Sequence, residues 1–307
     1  MTEIKVFCPA TIANVSCGFD VLGLALESVG DFMTVRKIPE KTIRISRIVG
    51  QNLPLETEKN VSGVAGLALL AKSDYVGGFE IEIDKRIKSG SGIGSSAASS
   101  AGAVWAMNEL LGKPFSKLEL VEFAMQGELL ASDMAHADNV APAIYGGFAL
   151  VRSYDSLDII PLPTPAELYA TVIHPQIEIN TSDSRKILRT SISLAQGIQQ
   201  WGNLGGLISG LYQNDYNLIG RSLHDHIFEP IRSVLIPGFD EVKTNAIEVG
   251  ALGCGISGSG PSIFALSKGK HMGQRVADSM KETYSKIGVP FQVHLSKVNT
   301  QGVKKIA

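Results

Sequence analysis

Cysteine is scarce in this chain and follows no pattern. Cys8, Cys17 and Cys254 make an odd count of three with no Cys-x-x-Cys pair, which speaks against a disulfide framework and against a cysteine zinc site. Free thiols in a reducing compartment are the expectation. Long apolar runs are missing too: the stretch from Val64 to Ala71 falls well short of the ~18–20 residues that span a bilayer. The start, Met1-Thr2-Glu3-Ile4-Lys5, has no basic segment leading into an apolar one, so no secretory signal is read and a cytoplasmic protein is expected. The Asn-x-Ser triplets at Asn14, Asn60 and Asn180 then count as chance matches to the glycosylation pattern. Neither sign of charge is in excess: 28 basic and 30 acidic residues leave a formal charge of −2, with no basic tail and no electrostatic footprint for nucleic acid. There is no internal repeat and no low-complexity segment.

What is present is an ordinary globular composition, 44% apolar and 19% charged over 307 residues, enough for two domains. Strands are predicted at Ile4 to Cys8, Phe32 to Lys37 and Thr42 to Ile48, and at Phe79, Ile81 and Ile83 alternating with Glu80, Glu82 and Asp84. Helices are predicted over the Ala/Leu-rich stretch Asn60 to Ala71 and from the glycine loop to Leu111, where Gly112 and Pro114 stop the helix. Ser116-x-x-Glu119 is a capping box for the next one. Tyr145-Gly146-Gly147 leads into a strand, and Pro161-Leu162-Pro163-x-Pro165 is read as the connection between halves, giving domains at 1–160 and 161–307. The second half reads strand (Leu168 to Ile173), several helices, strand (Ser262 to Leu266), helix (Lys270 to Ile287), strand (Phe291 to Leu295). No strand is followed by a Rossmann-type glycine turn, so an α+β protein is favoured over a doubly wound sheet.

The most informative segment is Gly90-Ser91-Gly92-Ile93-Gly94-Ser95-Ser96-Ala97, preceded by Lys88-Ser89. Glycines at alternate positions remove Cβ atoms, so backbone N–H groups can turn toward an anion. The loop runs straight into a helix, whose first N–H groups are unpaired and whose dipole end is positive. Ser91, Ser95 and Ser96 add hydroxyls that can bond phosphate oxygens or ligate Mg²⁺, and Lys85, Arg86 and Lys88 stand just upstream. The combination is a polyphosphate cradle. It is not a Walker A loop, because Ser95-Ser96 stands where Lys-Ser/Thr is needed. Gly253-x-Gly255-x-x-Gly258 matches a dinucleotide fingerprint, but Pro261 and a strand follow where a helix would have to begin.

Two further segments complete a set: Pro9-Ala10-Thr11-Ile12-Ala13-Asn14-Val15-Ser16-Cys17-Gly18-Phe19-Asp20 and Gly255-Ile256-Ser257-Gly258-Ser259-Gly260-Pro261. In order and content the three resemble the GHMP kinase superfamily. Within it, Ala13-Asn14, Gly18-Phe19-Asp20 and His136-Ala137-Asp138-Asn139-Val140-Ala141-Pro142 look most like the branch whose acceptor is the amino acid homoserine. The resemblance implies an N-terminal ribosomal-S5-like α/β domain and a ferredoxin-like C-terminal domain, with ATP in the cleft between them. It implies ATP phosphates on residues 88–97, Asn60 near the adenine, and Mg²⁺ on Ser96 and Glu128. A carboxylate with a hydroxyl suits a hard cation that keeps several waters. The chain departs from the family at Lys88-Ser89, where Pro-Leu is common, and at Ala137, where proline is common.

For the acceptor, the resemblance implies that Arg185 and Arg232 clamp the carboxylate, as planar guanidinium forks do. Asp20 would partner the ammonium group, with Asn14, His136 and Thr181 as further contacts. Asn139 matches the position that touches the acceptor hydroxyl. An amide cannot remove a proton, so catalysis would rest on positioning and charge stabilisation, which suits a loose phosphoryl transition state. Asp138, one residue away, is the rival as a general base. The implied activity is phosphorylation of homoserine on the way to threonine, in a possible homodimer. A GHMP kinase for a sugar or a mevalonate-type acid is one alternative, and a silent nucleotide or amino-acid sensor is another. His224-Asp225-His226 is read as structural, because helical residues two apart share no face.

Overall fold

A computed structural model describes residues 1–132, 136–179 and 181–306, without the side chains of Ser132 and residues 181–183. β1 (Glu3–Ala13) and β2 (Leu22–Ile38) form a long antiparallel pair, and the ladder breaks between Pro9 and Thr11, where a proline without an N–H is tolerated. β3 (Ile43–Val49), α1 (Val61–Lys72), β4 (Gly78–Asp84), α2 (Ser95–Leu111), α3 (Lys117–Ser132), α4 (Val140–Tyr145), β5 (Phe148–Ser153) and β6 (Asp158–Leu162) follow. β4 pairs antiparallel with β2 and parallel with β3, while β5 joins β2 and carries β6.

The second half supplies β7 (Leu168–Pro175), α5 (Thr181–Lys186), α6 (Leu194–Gln213), α7 (Tyr216–Ser222), α8 (Glu229–Arg232), α9 (Phe239–Glu248), β8 (Gly253–Ile256), β9 (Ile263–Lys268), α10 (Lys270–Ile287), β10 (Phe291–Lys297) and β11 (Lys304–Lys305). Its sheet is antiparallel in the order β10-β7-β9-β8, backed by α9 and α10. β11 returns to the edge of β1 and completes a seven-stranded first sheet. Residues 160 and 161 lie inside β6, which stays with the first sheet, and the connection to β7 is the stretch 163–167. Gly253 to Gly258 runs through β8 into a turn toward antiparallel β9, so the dinucleotide-like spacing sits in a hairpin.

Burial follows the alternation read in the sequence. On β4, Phe79, Ile81 and Ile83 are buried, while Glu80 and Glu82 face out and meet Arg36 of β2. The capping box is formed: Ser116 N–H donates to Glu119 Oε2 at 2.8 Å, and Glu119 N–H to Ser116 Oγ at 3.3 Å. Among the described residues no helix is long and apolar enough to cross a membrane.

α2 is the helix that positions the site. It lies against β1 and β2 on a face of small residues, Ala97, Ala98, Ala101 and Gly102. The fit is tight: a Cβ on Gly102 would stand 2.2 Å from Cys8 Sγ. Gly102→Ala is therefore expected to destabilise the fold by about 1–3 kcal/mol through overpacking, despite the better helix propensity of alanine. A urea unfolding midpoint at or above that of the parent chain would contradict this close approach.

Candidate active site

The glycine loop is gripped from behind by three distant parts of the chain. Ser262 Oγ donates to the Ser91 carbonyl at 2.6 Å, Ser257 Oγ to Gly92 at 2.7 Å, and Thr11 N–H to Ile93 at 3.1 Å. Gly90, Gly92 and Gly94 adopt φ of 74°, 79° and 66°. At Gly94 a Cβ would fall 1.9 Å from Thr11 Oγ1 and 2.9 Å from Asn139 Oδ1, so only glycine fits there. With these carbonyls held away, the turn into α2 leaves the first helical N–H groups toward the cleft.

Lys85 holds the next carbonyl. Its buried ammonium donates to Ser95 O at 2.6 Å and Ser99 Oγ at 2.9 Å, and pairs with Asp31. Asp31 in turn accepts from the N–H groups of Arg86 and Ile87, at 2.7 and 2.8 Å. Sequence reasoning grouped Lys85 with Arg86 and Lys88 as phosphate-attracting charge. Lys85 is the loop's internal anchor, whereas Arg86 pairs with Asp84 over the Phe32 ring and Lys88, next to the loop, bonds Gln176 at the surface. An aspartate in the apolar register of β2 was the available signal.

The cleft of about 440 Å³ is lined by Ser89, Gly90, Gly92, Gly94, Ser95 and Ser96 on one side. Ser91, Ile93 and Ala97 lie behind that wall and are buried. Asn60 borders the cleft with Leu53, Pro54 and Val61, and caps α1 through Oδ1 to Ser62 N–H at 3.0 Å while its amide donates to Pro54 O at 2.8 Å. Glu128, from α3, accepts from Ser96 Oγ at 3.0 Å. Burial lifts the Glu128 carboxyl to about 7, against the Ser96 hydrogen bond and the Lys85 charge. Asp138 is likewise lifted to about 7 by burial, with the charges of Asp20 and Glu128 adding to it. Its Oδ1 has no hydrogen-bond partner among the described residues.

The other end of the cleft collects Asn14, Asp20, His136, Arg185 and Arg232. Arg185 Nη2 donates to both Asp20 oxygens at 2.8 and 2.7 Å and lies 3.0 Å from His136 Nε2. Arg232 Nη1 donates to Gly258 O at 3.2 Å. Both guanidinium groups lie over the ring of Phe19, at 5.5 and 4.9 Å, and Phe19 stacks on Phe228 at 3.6 Å. Burial draws the Arg232 guanidinium down to about 10 and lowers His136 below its ordinary value. The side chain of Thr181 lies outside the described residues. Asn14, Val15 and Ser16 form a left-handed turn, and Asn14 fixes it by donating to Gly258 O at 2.8 Å and accepting from Asp20 N–H at 3.0 Å.

Tyr154 joins the two acceptor segments and was missed in the sequence. Its hydroxyl donates to Asp20 O at 2.8 Å and accepts from Ala137 N–H at 3.2 Å. Asn139 Oδ1 accepts from Thr11 Oγ1 at 2.7 Å. The triad His224-Asp225-His226 is structural: Asp225 accepts from the N–H groups of Ile227, Phe228 and Glu229 and opens α8. No cluster of three metal-ligating side chains occurs among the described residues.

A glycine loop at a helix start and an arginine–aspartate cluster, sharing one cleft on this two-sheet fold, are those of a GHMP kinase. The family descriptions agree, GHMP kinases N terminal domain matching residues 59–147 and GHMP kinases C terminal matching residues 207–286. Homoserine kinase of Chlorobium phaeobacteroides (strain BS1) is 46% identical over 100% of both chains, and that of Chloroherpeton thalassium is 46% identical over 94% of each. The crystal structure of homoserine kinase from Cytophaga hutchinsonii superposes with a TM-score of 0.95 at 53% identity, covering 100% of this chain and 98% of that one. The chain belongs to the homoserine kinase family.

The raised carboxyls set a pH dependence. A carboxyl whose folded pKa lies above its unfolded value stabilises the fold below the unfolded value and loses that contribution as pH rises through the folded one. For Glu128 the window runs from its ordinary value of 4.5 to about 7. Glu128→Gln is therefore expected to flatten the fall in melting temperature of the ligand-free protein across this window, read by calorimetry. An unchanged slope would mean that Glu128 is not the buried acid described.

Proposed function

We propose that this chain transfers the γ-phosphoryl group of ATP to the side-chain hydroxyl of homoserine, giving O-phosphohomoserine, a step toward threonine. The observation that carries the reading is one cleft with the glycine loop and the start of α2 at one end and a paired-arginine, aspartate cluster at the other. Within 88–97, Ser89, Gly90, Gly92, Gly94, Ser95 and Ser96 line the cleft and would take the triphosphate, and the wall of Leu53, Pro54, Asn60 and Val61 the adenine. Arg185 and Arg232 would take the acceptor carboxylate, and Asp20 its ammonium group, with Asn14, His136 and Thr181 closing around it. A neutral sugar has no carboxylate or ammonium group to engage this arginine–aspartate cluster, which disfavours a sugar kinase.

Ser96 and Glu128 fit Mg²⁺: a buried carboxylate beside a hydroxyl is a hard-donor pair at a site where burial alone disfavours the carboxylate charge. When bound, the ion supplies neutralisation of phosphate charge. The chain's own contribution is to hold the acceptor hydroxyl in line. With Oδ1 engaged by Thr11, Asn139 offers its amide N–H to the acceptor oxygen. That oxygen forms the new bond to the γ-phosphorus as the bond to the ADP oxygen breaks, and the hydroxyl proton leaves to the transferred phosphate or to water.

A coupled ADP-release assay with Mg·ATP should show acceleration by homoserine and none by mevalonate or galactose. In the same assay Arg185→Ala should raise KM for homoserine about tenfold or more and leave KM for ATP near its original value. The reverse pattern would remove Arg185 from the acceptor site. Asp138→Asn should keep turnover within about tenfold of the parent, whereas a loss on the order of 10² would assign proton removal to Asp138.

A further inference from the structure

Among the buried residues of α6, Gln200 alone has a side chain that forms hydrogen bonds; the others are Gly197, Leu207, Gly210 and Leu211. A buried amide is costly unless both its hydrogens and its oxygen are answered. Here all three are. Gln200 Nε2 donates to Cys17 O at 3.0 Å and to Asp225 Oδ1 at 3.1 Å, and Oε1 accepts from His226 N–H at 3.0 Å. Exchanging nitrogen and oxygen would set an acceptor against a carbonyl and a carboxylate, so only one orientation fits. Gln200 does not itself line the cleft.

The two groups that its Nε2 binds belong to opposite sides of the acceptor cluster. Cys17 lies in the turn that carries Phe19 and Asp20. Asp225 opens α8, accepting from the N–H groups of Ile227, Phe228 and Glu229 at 2.9, 3.0 and 2.9 Å, and α8 carries Arg232. The turn and α8 meet elsewhere through the stacked rings of Phe19 and Phe228. They also share the Gly258 carbonyl, which accepts from Asn14 Nδ2 at 2.8 Å and Arg232 Nη1 at 3.2 Å. Stacked rings can slide over one another, whereas one planar amide bonded to two partners fixes both distance and direction.

We propose that Gln200 is a positioning residue for the acceptor: a single amide on α6 sets the separation of Asp20 from Arg232, and with it the fit of a ligand that must meet both. The inference rests on the assignment of the acceptor to this cluster. It gives the His224-Asp225-His226 segment a part through the Asp225 carboxylate and the His226 backbone, with neither imidazole involved. Asn203, one turn further along α6, supplies the contrast. Its Nδ2 donates to His224 O at 2.9 Å, tying α6 to the same segment without reaching the turn. The glycine loop is held by Ser262, Ser257, Thr11 and Lys85, none of which bonds Gln200, so the ATP end should not feel the change.

The test is the ADP-release assay on the full chain with homoserine and ATP varied in turn. Gln200→Glu keeps the length of the side chain but turns a carboxylate oxygen toward Cys17 O and Asp225. It should raise KM for homoserine about tenfold or more, while KM for ATP stays within about twofold and kcat within about threefold. A merely structural loss would shrink the active fraction, which lowers kcat and leaves both KM values alone. Gln200→Met removes the bonds without adding charge and should give the same split; it carries the test if Gln200→Glu does not fold. Adding Asp225→Asn to Gln200→Glu restores a donor between the two side chains and should bring KM for homoserine down by about threefold or more from the single variant. Asn203→Ala should leave that KM within about twofold of the parent. A parent chain that homoserine does not accelerate would sink the acceptor assignment and this inference with it. A working parent whose Gln200 variants keep its KM for homoserine would overturn this inference alone, as would an Asn203→Ala variant that raises that KM equally.

Discussion

The site depends on where the glycine loop sends its carbonyls. A loop of glycines has no preferred direction of its own, because each residue gains left-handed freedom at the cost of order. Direction comes from Ser262, Ser257 and Thr11, which bind the carbonyls of Ser91, Gly92 and Ile93, and from Lys85, which binds that of Ser95. Once these acceptors are held behind the loop, the start of α2 faces the cleft. The cradle is therefore a product of tertiary contact. Its anchors sit on β1, just after β4, and on the hairpin turn between β8 and β9, so both sheets must be in place before the loop has its shape.

The acceptor end is held by backbone in an uncommon conformation. Asn14, Val15 and Ser16 have φ of 70°, 42° and 60°, and for a β-branched residue such as Val15 this is costly, on the order of 1–3 kcal/mol. Burial of Val15 and the bonds of Asn14 to Gly258 O and Asp20 N–H offset that strain. The result is that Phe19 and Asp20 project toward Arg185 and Arg232 from a turn that cannot relax alone. Gln200 of α6 and the hydroxyl of Tyr154 hold the same turn from two other sides.

Much of this was legible before any coordinates. Alternation on β4, the capping box at Ser116 and the stop at Gly112 are local, and local chemistry reads directly from neighbouring residues. The glycine loop was legible for the same reason. Less legible were groups whose meaning depends on a distant partner. Lys85 looked like one more surface cation until Asp31 was found beneath it, and Tyr154 has no local feature that points to Asp20. β8 was hidden because Gly253-Cys254-Gly255 has few side chains to show a period, and β11 because two residues are too few. The arginine pair lay between these cases. Arg185 and Arg232 are far apart in the chain, and the shared Phe19 ring and the bond from Arg232 to Ser184 O bring them together.

The electrostatics of the cleft follow from what the chain supplies and what it leaves to its ligands. Backbone N–H groups and two guanidinium groups provide the positive side from within. The negative side is Asp20, Asp138 and Glu128, and the last two are held near 7 by burial, with Asp138 raised further by its acidic neighbours. Such a cleft is incomplete by itself, because burial without a compensating cation pushes carboxyls toward their neutral forms. A divalent ion held at Glu128 would restore the charged form of that carboxyl, so the first cationic ligand changes the charge that the next one meets. Binding order would then reflect charge balance across the cleft, with no movement of either sheet required.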